Sequence, residues 1–357
     1  MKNFFYKMDP FNFVPLIKTP WAGKKIAELK NKYFPNSLHL IPLSIGESWE
    51  VSTDSVFPSK ISLPENEIVT LEELLKRDGK RILGHTISEK YGEHIPLLLK
   101  WLHADDLLSV QLHPKNNNPQ LKENECGKPE SWLVLDVEKN GYLYLGFKEG
   151  LSREQIIHYL LNDQPEKCLH RFEPQKFDYI SVPPGCVHAV GNGVLVAEPQ
   201  YILPKKSGKT WRISDWNRLY DENGYKSDKG KPRELHVHES LDAIDWNLPQ
   251  GNNLEKLLVH KLQHDSVFLG NHYNPFAVQV FCHEGQERYH PLIKDSFTIV
   301  TVWSGKLVLT SDCDNIAMCA GESALISSDS QEVLLTLLKQ GDDNPCAAFF
   351  ALNEEVL

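Results

Sequence analysis

What the 357 residues lack narrows the field first. No run of eighteen apolar residues occurs, and Met1-Lys2-Asn3-Phe4-Phe5 is not an uninterrupted apolar stretch followed by a small-residue cleavage site. The chain therefore reads as neither membrane-spanning nor led by a secretory signal, and the cytoplasm is its expected compartment. Cysteine is sparse: seven residues, odd in number, scattered from Cys126 to Cys346 with no C-x-x-C pair. That usage fits reduced packing thiols better than disulfides or a cysteine-bound zinc. Basic charge is short, with 38 Lys and Arg against 48 Asp and Glu, a net charge of −10 and no basic block. Nucleic acid and anionic membrane both demand a positive surface and are excluded as expected partners, while an anionic small molecule would need local Lys or Arg. No short-period repeat or low-complexity tract is visible. Hydrophobic residues at 41% and charged residues at 24% are ordinary for a soluble globular protein, and the length calls for two domains.

Short apolar segments bounded by turn residues predict strands at 38–43, 107–113, 131–137, 142–146, 178–182 and 193–197, a spacing that favours a mainly β barrel or sandwich. Helical periodicity is confined to 71–77, 91–102 and 152–161, the last opened by a Ser152-x-x-Gln155 capping box. The polar run Asp245 to Asn253 separates a first domain, residues 1–250, from a second series of strands in 251–357. Within the latter, 297–303, a Ser304-Gly305 turn and 306–310 predict a β-hairpin, and Gly321 marks another turn.

Gln111 and His113 stand two apart, so on a strand both side chains leave the same face, about 7 Å apart at the backbone. Glu130 follows Gly127-Lys128-Pro129 at a turn-to-strand junction, and His188 follows the tight turn Pro183-Pro184-Gly185. Two imidazoles, a carboxylate and an amide oxygen leave a coordination position for water, as a catalytic zinc site does. Nitrogen and oxygen ligands also suit manganese, cobalt or iron. His236 and His238 would share a face if extended, which is weak grounds for a second ion. His260, His264, His272, His283 and His290 are spread without strand-pair spacing, so the second domain is expected to carry no metal.

Gly46-Glu-Ser-Trp-Glu-Val-Ser52, Leu97-Leu-Leu-Lys100, Leu108-Ser-Val-Gln-Leu-His-Pro114, Gly127-Lys-Pro-Glu130, Val182-Pro-Pro-Gly-Cys-Val-His-Ala189 and Thr210-Trp-Arg-Ile-Ser-Asp-Trp-Asn-Arg218 together resemble type I mannose-6-phosphate isomerases, in matching order, from about Pro20 to Trp246. The resemblance implies cupin (jelly-roll) β-barrels with a few helices. It also implies one Zn2+ per chain on Gln111, His113, Glu130 and His188, and interconversion of mannose 6-phosphate and fructose 6-phosphate. By it Arg212, Glu198 and Lys128 are the expected catalytic residues, and Ser109, Lys100 and Asp215 the expected contacts to the sugar phosphate. Such a reaction moves a proton between C1 and C2 through an enediol, whose developing oxyanion a guanidinium and a Lewis acid both stabilise. The base stays open among Glu198, Asp215, a lysine of lowered pKa and metal-bound hydroxide, with Glu198 preferred.

Two departures stand out. Roughly four residues are inserted between Glu198-Pro-Gln200 and Thr210-Trp-Arg212, where Lys205, Lys206 and Lys209 replace the acidic residue that the family carries; the expected W-G-G reads Trp21-Ala22-Gly23. The first leaves open another sugar or sugar phosphate as substrate, and a non-catalytic sugar-binding cupin is the third reading.

Overall fold

The structure, a computed structural model, describes residues 3–63, 67–330 and 332–353. Four β-sheets lie in layers. A five-stranded sheet runs Leu169–Phe172, Leu143–Phe147, His188–Val190, Val110–Leu112, Trp211–Ser214. It faces a six-stranded sheet, Val259–Lys261, Asp178–Val182, Glu130–Val137, Val194–Tyr201, Leu97–Ala104, Glu47–Val51. Trp132, Val134, Ile180 and Val196 of the second sheet meet Leu143, Leu145 and Val190 of the first in one core. Helices Arg153–Leu161 and Val237–Ala243 cover the far face of the five-stranded sheet with Ile156, Leu160 and Leu241.

The other face of that six-stranded sheet is buried too, because Leu97, Leu99, Trp101, Leu133 and Leu135 pack on Val278, Val280, Ile299, Ala348 and Phe350 of a second six-stranded sheet. Trp101 also donates its indole N–H to Thr301 Oγ1 across this seam, 3.1 Å away. A four-stranded sheet closes the second sandwich. Two strands lie across the expected division at residue 250: Phe5–Lys7 edges the C-terminal six-stranded sheet beside Glu322–Ile326, and Val259–Lys261 edges the N-terminal one beside Asp178–Val182.

Three local expectations are corrected. Residues 91–102 are not helical: a short helix stops at Tyr91 against Gly92 at φ 67°, and Leu97–Ala104 is a strand buried at every position. A strand buried on both faces loses its alternation and reads as an apolar run. Residues 38–43 alternate but find no strand partner; Pro35–Leu40 forms a 3-10 helix, leaving Leu38, Leu40 and Leu43 exposed. Thr298–Ser304 and Lys306–Thr310 are not a hairpin, because the turn at Gly305 carries the chain from one sheet of the C-terminal sandwich to the other. The capping box on Ser152 and Gln155 is present, and a second one, Thr70 with Glu73, opens helix Leu71–Leu83. All seven cysteines are free thiols, and among the described residues no helix is long and apolar enough to cross a membrane.

His103 shows what the Trp21-Ala22-Gly23 segment does. A Cβ on Gly23 would lie 1.9 Å from His103 Nδ1, so only glycine fits there. That Nδ1 accepts the Lys25 N–H at the first turn of helix Lys25–Tyr33, 3.3 Å away. Burial, reinforced by the Lys25 ammonium, pushes the His103 pKa down to about 4 from the ordinary 6.5. The unfolded chain therefore takes up this proton first, and stability falls as pH drops from about 6.5 towards about 4, by about 1.4 kcal/mol per pH unit. Urea unfolding at pH 7 and pH 5 should show a steeper loss for the native chain than for His103→Gln; equal losses would refute the assignment.

Candidate metal centre

The pairing of three strands builds one wall. His188 lies opposite Gln111, and Gln111 opposite Arg212, so the three side chains form a row across the five-stranded sheet. Directly opposed residues hold their Cβ atoms about 5 Å apart on a common face. The facing sheet supplies Glu130 beside Gln200 and Glu198 beside Lys100, again in register. The strand period of two thus selects Glu198 and Gln200 for the same face.

Between these walls His113 Nε2 lies 3.1 Å from Glu130 Oε2, and His188 Nε2 lies 3.3 Å from Glu130 Oε1. All three side chains are buried. Each imidazole donates its Nδ1–H to a carbonyl: His113 to Lys209 O and His188 to Cys186 O, both at 3.0 Å. Both Nε2 lone pairs are thereby aimed at one point, the orientation by outer hydrogen bonds that metal-binding histidines require. His113 Nε2 and Glu130 Oε1 are buried without a hydrogen-bond partner. Leaving such atoms unpaired is costly, and a cation between them removes the cost. Burial, helped by the Lys128 ammonium and opposed by Glu130, pushes His113 down to about 4, so its ring is neutral and able to ligate at neutral pH. Burial resists ionisation of Glu130, yet the Lys128 ammonium beside it holds its carboxyl well below the usual range. Gln111 completes the group: its Nε2 is 3.4 Å from His188 Nε2, and its Oε1 accepts from Ser109 Oγ at 3.2 Å. Half a turn of the amide exchanges those atoms and offers Oε1 to the same point.

Around this cluster runs a charged network. Lys100 Nζ contacts Glu198 Oε2 at 2.9 Å and Glu47 Oε2 at 3.2 Å. Glu198 further accepts from Trp132 Nε1 at 2.8 Å and Gln200 Nε2 at 2.9 Å, while Gln200 Nε2 also reaches Glu130 Oε2 at 2.9 Å. Burial opposes the charge on Lys100, but Glu198 and Glu47 outweigh it and raise its pKa. Burial and Glu130 raise the pKa of Glu198. Lys128 Nζ stands 3.4 Å from Glu130 Oε2. Glu47 and Gln200 were not among the expected site residues; the signals for them were Glu47 within Gly46-Glu-Ser-Trp49 and the spacing Glu198-x-Gln200.

Arg212 donates from Nη1 to Glu234 O at 2.8 Å, and its Nε is buried without a partner. Asp215 is engaged by two guanidinium groups. Its carboxylate is held by Arg218 at 2.7 Å and by Arg233 at 2.5 and 2.8 Å. His236 caps helix Val237–Ala243, so the His236 and His238 pair is not extended. The inserted link pairs Ser207–Gly208 beside Glu125–Cys126, and Lys205 and Lys206 line a cavity of about 330 Å³ with Ser52, His94 and Asn124. Its last residue, Lys209, supplies the carbonyl that orients His113.

A family model of the phosphomannose isomerase type I catalytic domain matches residues 21–131. The chain is 30% identical over 240 residues to mannose-6-phosphate isomerase ManA of Bacillus subtilis, covering 66% of this chain and 68% of that one. It is 28% identical over 235 residues to mannose-6-phosphate isomerase of Streptococcus mutans, covering 65% and 66%. The matches thus span about two thirds of these relatives. In three dimensions the mannose 6-phosphate isomerase of Bacillus subtilis superposes with a TM-score of 0.73 at 22% identity, over 97% of this chain and 99% of that one. A zinc-bound mannose 6-phosphate isomerase superposes with a TM-score of 0.70 at 15% identity, over 98% and 100%. The mainly β, cupin-type architecture of the chain is the one these enzymes share.

Proposed function

Because the chain belongs to the type I mannose-6-phosphate isomerase family, we propose that it interconverts mannose 6-phosphate and fructose 6-phosphate at the cluster of Gln111, His113, Glu130 and His188. The observation that carries the site is the pair of oriented imidazoles with the unpartnered His113 Nε2 beside Glu130. These four residues would hold one zinc ion, which supplies Lewis acidity towards a carbonyl or hydroxyl oxygen of the sugar.

The remaining roles fall to the chain's own side chains. Lys100, Lys128 and Arg212 balance Glu47, Glu130 and Glu198 in charge, so a divalent ion makes the pocket net positive, as a phosphorylated sugar requires. Lys100 and Ser109 bind the substrate, and Lys128 sits where a positive charge steadies an oxygen near the ion. Glu198 is assigned as the base that carries the proton between C1 and C2; burial raises its affinity for a proton, which suits a base working near neutrality. Arg212, in the row with Gln111 and His188, donates to the oxyanion of the enediol. Asp215 acts indirectly by fixing Arg218 and Arg233. Catalysis is assigned to residues up to about 250, with the C-terminal sandwich as its support.

The test is direct. Metal-replete protein supplied with mannose 6-phosphate should form fructose 6-phosphate, and the reverse. Failure to interconvert them, with zinc bound, would sink the proposal.

A further inference from the structure

A second set of ligating atoms lies in the C-terminal half. Strand Ser266–Phe268 runs antiparallel to Phe276–Phe281 with Ser266 opposite Val280, and the turn before it, closed by Ser266 N–H to Gln263 O, brings His264 beside Cys282. Residues distant in sequence thus meet, which spacing along the chain does not reveal. The ligand atoms of His264, Cys282 and His283 all lie within 4.8 Å of one another. Cys282 Sγ is 3.8 Å from His283 Nδ1. Metal bonds of about 2.3 Å to sulfur and about 2.05 Å to nitrogen at a tetrahedral angle place those atoms about 3.6 Å apart, close to what is seen.

The protonation pattern is also that of a ligand. His264 Nδ1 accepts the Cys282 N–H at 3.1 Å, so its lone pair faces the cysteine and its proton sits on Nε2. That Nε2–H meets Glu287 Oε1 at 3.0 Å. A ring whose Nδ1 lone pair faces the cysteine while its Nε2–H is held by a carboxylate is the arrangement that orients metal-binding imidazoles. The rings of His264 and His283 meet edge to face at 4.4 Å, and His283 is exposed, so an ion has access.

We propose that His264 Nδ1, Cys282 Sγ and His283 Nδ1 bind a second cation of the zinc class, with Glu287 positioning His264 and water filling the open position. A thiolate with two imidazoles selects zinc, cobalt or copper(I) and rejects magnesium and calcium. Binding releases the Cys282 thiol proton to solvent, and the ion replaces the Cys282 N–H as the partner of the His264 lone pair. The site reverses the expectation of a metal-free C-terminal domain and of one ion per chain. It pins the chain just after it leaves the N-terminal sheet at Val259–Lys261 to the bend at 282–284 that joins two sheets of the C-terminal sandwich. Its effect is therefore on stability.

Cobalt titrated into the full metal-free chain tests this apart from catalysis, because only a thiolate gives the intense sulfur-to-cobalt charge-transfer absorption and the first site offers none. With both sites empty at the start, the band should be saturated by two equivalents of cobalt. Cys282→Ser should abolish it, Cys313→Ser should keep it, and Glu287→Gln should weaken the affinity about 10-fold or more. His283→Ala, at an exposed position, should also remove the band and guards against misfolding of the cysteine variant. Absence of the band in the native chain, or its survival in Cys282→Ser or His283→Ala, would overturn the proposal.

Discussion

Alanine at His113 or His188 is expected to leave a folded chain that has lost one equivalent of metal and activity by on the order of 10³-fold or more, since a Lewis acid at the reacting oxygens contributes several kcal/mol. Both rings are fully buried and their centroids lie 4.9 Å apart, so each truncation opens a hole between the two walls. The cost in stability should be about 2–3 kcal/mol, typical of a buried truncation, because the cores on either side are built from other residues. Circular dichroism should report an unchanged β signature, and elemental analysis in the Cys282→Ser background should fall from one ion per chain to none. Full activity in either variant would remove that histidine from the ligand set.

Arg212→Lys is expected to lower kcat by about 10²-fold with metal content unchanged, as when one donor to a developing oxyanion is lost. Lysine keeps the charge but not the planar fork. A structural account of Arg212 would pair it with Asp215, yet Arg218 and Arg233 take that carboxylate and the substitution leaves them in place. Among the described residues the one hydrogen bond lost from the guanidinium is the exposed one to Glu234 O, so the thermal midpoint should hardly move. A rise in KM at constant kcat would mark Arg212 as a uniform binding contact, and a large fall in stability would mark it as a structural one.

The candidate site was legible wherever its logic is local. Gln111 and His113 share a face because strands repeat every two residues, and turns announce Glu130 and His188. Illegible were the partners set by register. Nothing near Glu198 in the chain says that Trp132 and Lys100 will hold it, and the orienting carbonyl of Lys209 sits in a segment that read only as an insertion. The fold class was legible from the many short strands. Which face of Leu97–Ala104 meets which neighbour was not, because both faces are mostly apolar, with Lys100 entering the site from one and His103 buried on the other. The turn at Gly305 likewise has the same local chemistry whether its strands pair with each other or part to different sheets.

The exchange of edge strands between the two sandwiches bears on how the chain is made. Phe5–Lys7 leaves the ribosome long before Glu322–Ile326, its one strand partner among the described residues, is synthesised. Until then that segment is an unpaired edge, and the contact that seals the C-terminal sheet joins residues far apart in sequence, a slow kind of closure. Severing the chain near residue 250 would not yield two self-sufficient halves. The first piece would carry a strand whose sheet is missing, and the second would carry Val259–Lys261 with nothing to pair against.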